Sequence, residues 1–250
     1  MTLYLRNWRT FMGVAAVAYV PFLLLSLSLG RLFPEEWPMG WGPSLQVSVT
    51  TAVMLSLLIV VTALVVEPLA AGAMVKAVAG AYMGERLTVG GAYRYALGAM
   101  WSLLLVTLLE SLVVITGLVL LIVPGVIFAV RLAFATNALI LEGVRGPAAL
   151  RRSWELSRGS FWWIVGVLLV TGVLAGIAAG VFWLPSYVAG STIAGPILSE
   201  ILSSIGQLLT TPFTTAVLVL LYFDMRVRKE GFSLSVPTGE VSHESGGGPA

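Results

Sequence analysis

The chain has 250 residues, 58% of them apolar and only 10% charged, with a mean hydropathy of +0.97. Soluble domains carry about 25% charged residues, so these charges are too few to coat a globule in water, and lipid is the expected solvent. A net charge of +2 argues against nucleic acid as a partner. The absence of cysteine excludes disulfides and thiolate chemistry, and a lone His243 leaves no His–His metal pair or Ser–His dyad. No cofactor is implied.

A bilayer core takes about 20 apolar residues per helix. The first such run, Phe11–Leu29, follows Arg6 and Arg9. No small-residue cleavage site precedes Arg31, so it reads as a retained span rather than a signal peptide. Further spans are predicted over Thr51–Met74, Leu97–Thr116, Gly125–Leu141, Phe161–Trp183 and Ile201–Phe223. The uncharged link between the third and fourth places their turn at Gly117 or at Pro124–Gly125. The expected fold is all-α: a polytopic transmembrane bundle of about six spans over residues 1–232. A polar, Gly- and Ser-rich tail follows over 233–250, with the composition of a disordered segment.

Charge placement sets the orientation. With six spans and the N-terminus inside, Arg31 alone lies outside and Arg131 falls within a span. The rest of the 14 basic residues are then cytoplasmic, as the positive-inside rule requires. Lys76 is expected near a helix end. Five spans would strand Arg226, Arg228 and Lys229 outside, so both termini are expected to be cytoplasmic.

The segments also echo one another. Outgoing spans begin at Trp8, Trp101 and Trp162, and returning spans carry Pro68, Pro124 or Pro212, followed at similar distances by Gly84, Gly143 or Gly231. Three parallel hairpin repeats would produce this pattern. So would independent selection for interfacial tryptophan and turn glycine.

Pro147–Gly159 is predicted to be a cytoplasmic amphipathic helix. Ala149, Leu150, Ser153, Trp154, Leu156 and Ser157 share one arc, with Arg151, Arg152, Glu155 and Arg158 opposite. Such a helix is expected to lie in the interface plane, Trp154 at the acyl boundary and Arg151, Arg152 and Arg158 toward anionic headgroups. Within the spans, Glu110 and Arg131 are costly unless they face the bundle interior. They read either as a clamp between consecutive helices or as a relay or substrate contact. Glu67-Pro68 reads as a kink with a buried acid or as a gating hinge. Gly172, Gly176 and Gly180 form a double GxxxG stripe, for packing within the chain or for a homodimer. Asp224 is expected to pair with a neighbouring arginine. Glu142, Glu155 and Asp224 are acids near headgroup depth, but their spacing forms no metal or catalytic motif.

Several pieces occur in order. They are Leu120-Leu121-Ile122-Val123-Pro124-Gly125, Arg131, Leu141-Glu142-Gly143, Ala149-Leu150-Arg151-Arg152-Ser153-Trp154-Glu155-Leu156-Ser157-Arg158-Gly159, and Leu221-Tyr222-Phe223-Asp224-Met225-Arg226. Together they resemble the glycerophosphoryl diester phosphodiesterase membrane domain family and, more broadly, YciC-like membrane proteins. The resemblance covers roughly residues 1 to 232. It implies a bacterial inner-membrane protein without the soluble hydrolase to which that domain is elsewhere fused, and it transfers no catalytic residue. The expected function is that of a non-enzymatic membrane scaffold or lipid-interacting protein, with a small-molecule or lipid transporter as the alternative. Expected partners are anionic membrane lipids and either a second copy or another membrane protein.

Overall fold

Every regular element among the described residues of the computed structural model is helical; these are residues 2–32, 53, 56–58, 60–85, 87–188 and 194–231. In chain order the elements are α1 (Thr2–Leu32), a π-turn (Thr62–Val66), α2 (Glu67–Tyr82), α3 (Val89–Gly98), α4 (Met100–Leu120) and α5 (Ile122–Leu132). They continue with α6 (Ala135–Glu142), α7 (Pro147–Ser157), α8 (Phe161–Val188) and α9 (Ala194–Glu230). Among the described residues, five stretches are long and apolar enough to cross a membrane: Leu64–Tyr82, Met100–Leu120, Ile122–Glu142, Phe161–Phe182 and Leu198–Glu230. The first predicted span lies on α1. The tail expected at 233–250 and the connection from α1 to the second span lie outside the described residues.

Small side chains make α2 the centre of the bundle. It packs against α1, α3, α6 and α9, and Ala73, Ala77, Ala79 and Ala81 are buried along it. An added Cβ at Gly72 would stand 2.9 Å from Leu103 Cδ1 and 3.3 Å from Ile140 Cδ1, so a larger residue would require these side chains from α4 and α6 to shift. The buried run carries α2 past the predicted end at Met74 as far as Tyr82. Lys76 therefore sits within the helix rather than at its end. Its ammonium lies 5.0 Å from the Tyr95 ring centre and 3.8 Å from Glu85. Pro68 cannot donate a backbone hydrogen bond, and the π-turn directly before it takes up the mismatch.

The turn between α4 and α5 falls at neither expected position. It is the single extended residue Leu121, and the two glycines instead flank it. A Cβ on Gly117 would meet Gly125 Cα at 2.9 Å, so both are needed for the helices to separate from so tight a corner. The predicted fourth span is interrupted as well, becoming α5 and α6 with a turn at Ala133-Phe134.

Three returning helices end at glycines of positive φ: Gly84 after α2 (80°), Gly143 after α6 (70°) and Gly231 after α9 (59°). A left-handed residue closes a helix, and glycine adopts it without Cβ strain. The short α3 and α7 follow the first two of these. Tyr93 on α3 donates to the Val14 carbonyl on α1 at 2.8 Å. Burial, and then the nearby Tyr19, push its hydroxyl up to about 12, so it stays a neutral donor.

Candidate functional site

Polar chemistry gathers where α6, α7, α8 and α9 meet at one end of the bundle. The α5–α6 turn leaves the Arg131 carbonyl and the Phe134 amide without helical partners, and one side chain serves both. Ser153 Oγ on α7 donates to Arg131 O at 2.8 Å and accepts from Phe134 N–H at 3.1 Å. Ser157 Oγ also reaches Arg131 O, at 3.3 Å. Ala149, Ser153, Leu156 and Ser157 are buried. The arc expected to enter the bilayer is thus spent on covering a broken helix. The reason is that an open backbone pair is costly in lipid unless protein satisfies it.

Beside this joint lies a five-membered ionic network. Glu142 at the end of α6 takes two hydrogen bonds from Arg152, at 2.8 and 3.0 Å. It accepts another from the buried Tyr222 hydroxyl and lies 3.2 Å from Arg226. Glu230 closes the ring, with Arg152 at 2.5 Å and Arg226 at 3.3 Å. The hydrogen bond to Glu142 is the largest cause holding the Arg152 guanidinium above its ordinary range; burial works against it and Glu230 adds to it. Lys229 donates to the Glu155 carbonyl at 2.9 Å and to that of Arg158, capping the end of α7. Three elements are locked together by these contacts.

Of the arginines predicted to face headgroups, Arg152 is held inside this network. Arg151 is 83% exposed and pairs with Glu155 at 2.9 Å. Arg158 and Trp154 are exposed. Asp224 pairs with Arg228 at 2.9 Å. Glu142, Glu155 and Asp224 are thus all paired with arginine, Glu142 with two that it shares with Glu230.

The Glu110–Arg131 clamp is not formed. The Arg131 guanidinium lies over the Trp154 ring at 4.8 Å and near Phe161 at 6.0 Å. The interruption after α5 brings Arg131 under α7, away from the middle of α4. Glu110 instead shares a cavity of about 390 Å³ with Glu67, Pro68, Thr107, Ser111 and Thr136. The two intramembrane acids therefore line one pocket.

The stripe of Gly172, Gly176 and Gly180 meets no other helix among the described residues. Nothing among the described residues lies within 4 Å of a Cβ added at any of them.

Arg131, Ser160, Phe161, Trp162, Trp163 and Arg228 line a groove of about 510 Å³ at the start of α8, entered past Gly159. Arg228 lies 5.3 Å from the Trp163 ring centre. Neither this groove nor the ionic network was visible in local spacing. Their members come from five helices, α5 to α9, and only the grouping of Arg226, Arg228, Lys229 and Glu230 hinted at them.

No curated protein and no solved structure matches the chain. A family profile, described as a domain of unknown function (DUF7847), matches residues 42–225. A match over most of the length decides membership, and the chain belongs to the DUF7847 family.

Proposed function

We propose that this is a non-enzymatic integral membrane protein that acts as a scaffold for, or binds, anionic lipid. It would lie in the cell membrane, with six spans and both termini cytoplasmic. The observation that carries the reading is the collar at one end of the apolar helices. Arg151 and Arg158 point outward from a docked α7, and Trp101 and Trp162, each 81% exposed, stand at the starts of α4 and α8. Exposed tryptophan and arginine at the ends of lipid-facing helices suit the headgroup layer, where aromatic rings anchor and guanidinium groups meet phosphate. The resemblance to the phosphodiesterase membrane domain fits this reading, since that domain too is a membrane module separable from its hydrolase. The glycine stripe on α8, which no described residue packs against, is where a second copy or another membrane helix would sit.

The test is the lipid that accompanies the protein into mild detergent. Anionic lipid should be enriched over its share of the source membrane, and less so in the double variant Arg151→Gln, Arg158→Gln. Co-purified lipid that mirrors the bulk membrane in both proteins would end the proposal.

A transport reading has one observation in its favour: the pocket shared by Glu67 and Glu110 beside a π-turn and a proline. Acids within transmembrane helices accompany ion and proton pathways. Flux of a cation into proteoliposomes that is abolished by Glu110→Gln would establish it, and flux unchanged by that substitution would remove it.

A further inference from the structure

We infer that the groove between α5, α8 and α9 is a binding site for a phosphate oxyanion. Three features converge on it. Arg131 is the first. Its Nε is buried and has no hydrogen-bond partner among the described residues, and its guanidinium is held in place by Trp154 and Phe161 rather than by a carboxylate. An arginine with one buried, unmade donor costs free energy, and an anion paired with its guanidinium would offset that cost.

The second feature is the start of α8. Ser160 opens a helix that runs from Phe161 to Val188, and the Ile164 amide already bonds to the Ser160 carbonyl at 3.0 Å. The amides of Phe161, Trp162 and Trp163 belong to the first turn, which has no intrahelical acceptors, and the helix dipole adds positive potential there. Gly159, at φ 83°, turns the chain out of α7 so that this helix end opens onto the groove.

The third is the local charge balance. Arg228 lines the opposite wall and Lys229 is bonded to the carbonyls at the end of α7. The nearest acids are already committed, Asp224 to Arg228 and Glu155 to Arg151. That leaves Arg131 without a counter-charge.

The flank of α8 above the groove is apolar and largely uncovered, with Leu169, Val170 and Val173 exposed. A phosphate on a diacyl lipid could occupy the groove while its chains lie along this flank; a free phosphate could use only the groove. The inference takes its lipid source from the reading above, but the charge of the site does not depend on that reading.

Full-length protein in mild detergent, delipidated and examined by native mass spectrometry, separates these cases. The probes are phosphatidylglycerol, phosphatidylcholine and inorganic phosphate. Phosphatidylglycerol should bind about tenfold more weakly to Arg131→Gln, the loss expected for one charge-assisted hydrogen bond. Arg228→Gln should show a smaller loss, because Asp224 already holds part of that charge, and Arg94→Gln, exposed on α3 and outside the groove, should show none. Arg131→Lys should recover binding only in part, since an ammonium cannot reproduce the planar fork. Binding of inorganic phosphate that depends on Arg131, without selection for the anionic lipid, would keep the site and sink the lipid reading. If Arg131→Gln unfolds, Arg131→Lys and Arg228→Gln carry the same comparison. Folded Arg131 variants and folded Arg228→Gln that bind every probe like the parent would overturn the inference.

Discussion

Helices α2 and α8 are both built almost wholly from apolar residues, yet the span containing α2 is 56% buried in the protein and that of α8 only 6%. Their compositions run opposite to the habit of soluble proteins. The buried helix is the one rich in alanine and glycine, and the exposed one carries leucine, valine and isoleucine outward. In lipid, burying a large apolar side chain gains little, because hydrocarbon solvates it equally well. Close backbone approach and satisfied polar groups then decide which helix sits inside. The glycines say the same. Gly72 is pressed by Leu103 and Ile140, while Gly176, in a better-known packing motif, touches nothing among the described residues.

This contrast can be broken by substitutions on its two sides. The largest effect should come from the ionic network at the buried end. Glu142→Ala removes one of the two acceptors that Arg152 and Arg226, 23% and 17% exposed, share, leaving Glu230 alone to balance both. The expected cost is about 3 kcal/mol, the low end for a broken buried pair because its members keep some water contact. Unfolding in graded mixtures of mild and harsh detergent would measure it, and a loss near zero would mean the network is ornamental.

Next in size is the glycine pair. Gly72→Val should destabilise by about 2 kcal/mol through overpacking, and Gly176→Val by less than about 0.5 kcal/mol as an open surface change. The same unfolding assay applies, with Gly176→Val also run on cross-linked samples. Equal losses in the two variants would mean that α8 is covered in the working assembly.

The smallest expected effect on the buried side is at the helix break. Ser153→Ala removes the donor to Arg131 O and the acceptor for Phe134 N–H, and should cost about 1.5 kcal/mol. Hydrogen exchange at Phe134 should quicken in this variant. Protection unchanged there would show that water or neighbouring backbone takes over the serine's role.

Much of the fold was legible because the bilayer imposes lengths. The apolar runs of α4, α8 and α9 appeared where a 20-residue window places them, and Gly84 and Gly143 marked the ends of α2 and α6. The site was less legible. Glu142, Arg152, Tyr222 and Glu230 look like ordinary interfacial residues until three elements bring them together. The clamp expected between Glu110 and Arg131 assumed an unbroken fourth helix. Nothing in Ala133-Phe134 announces a break, because neither residue is a helix breaker and the turn depends on a serine 19 residues further on.

Composition and the spacing of apolar runs by themselves determined the helical class and the solvent in which it stands, because a polypeptide in hydrocarbon has few ways to satisfy its backbone. Only the tertiary structure decided which helix is central, where the fourth span breaks, and that Arg131 faces aromatic rings rather than an acid. Those outcomes rest on approach distances between backbones and on single hydrogen bonds between residues far apart in sequence, which no local pattern encodes.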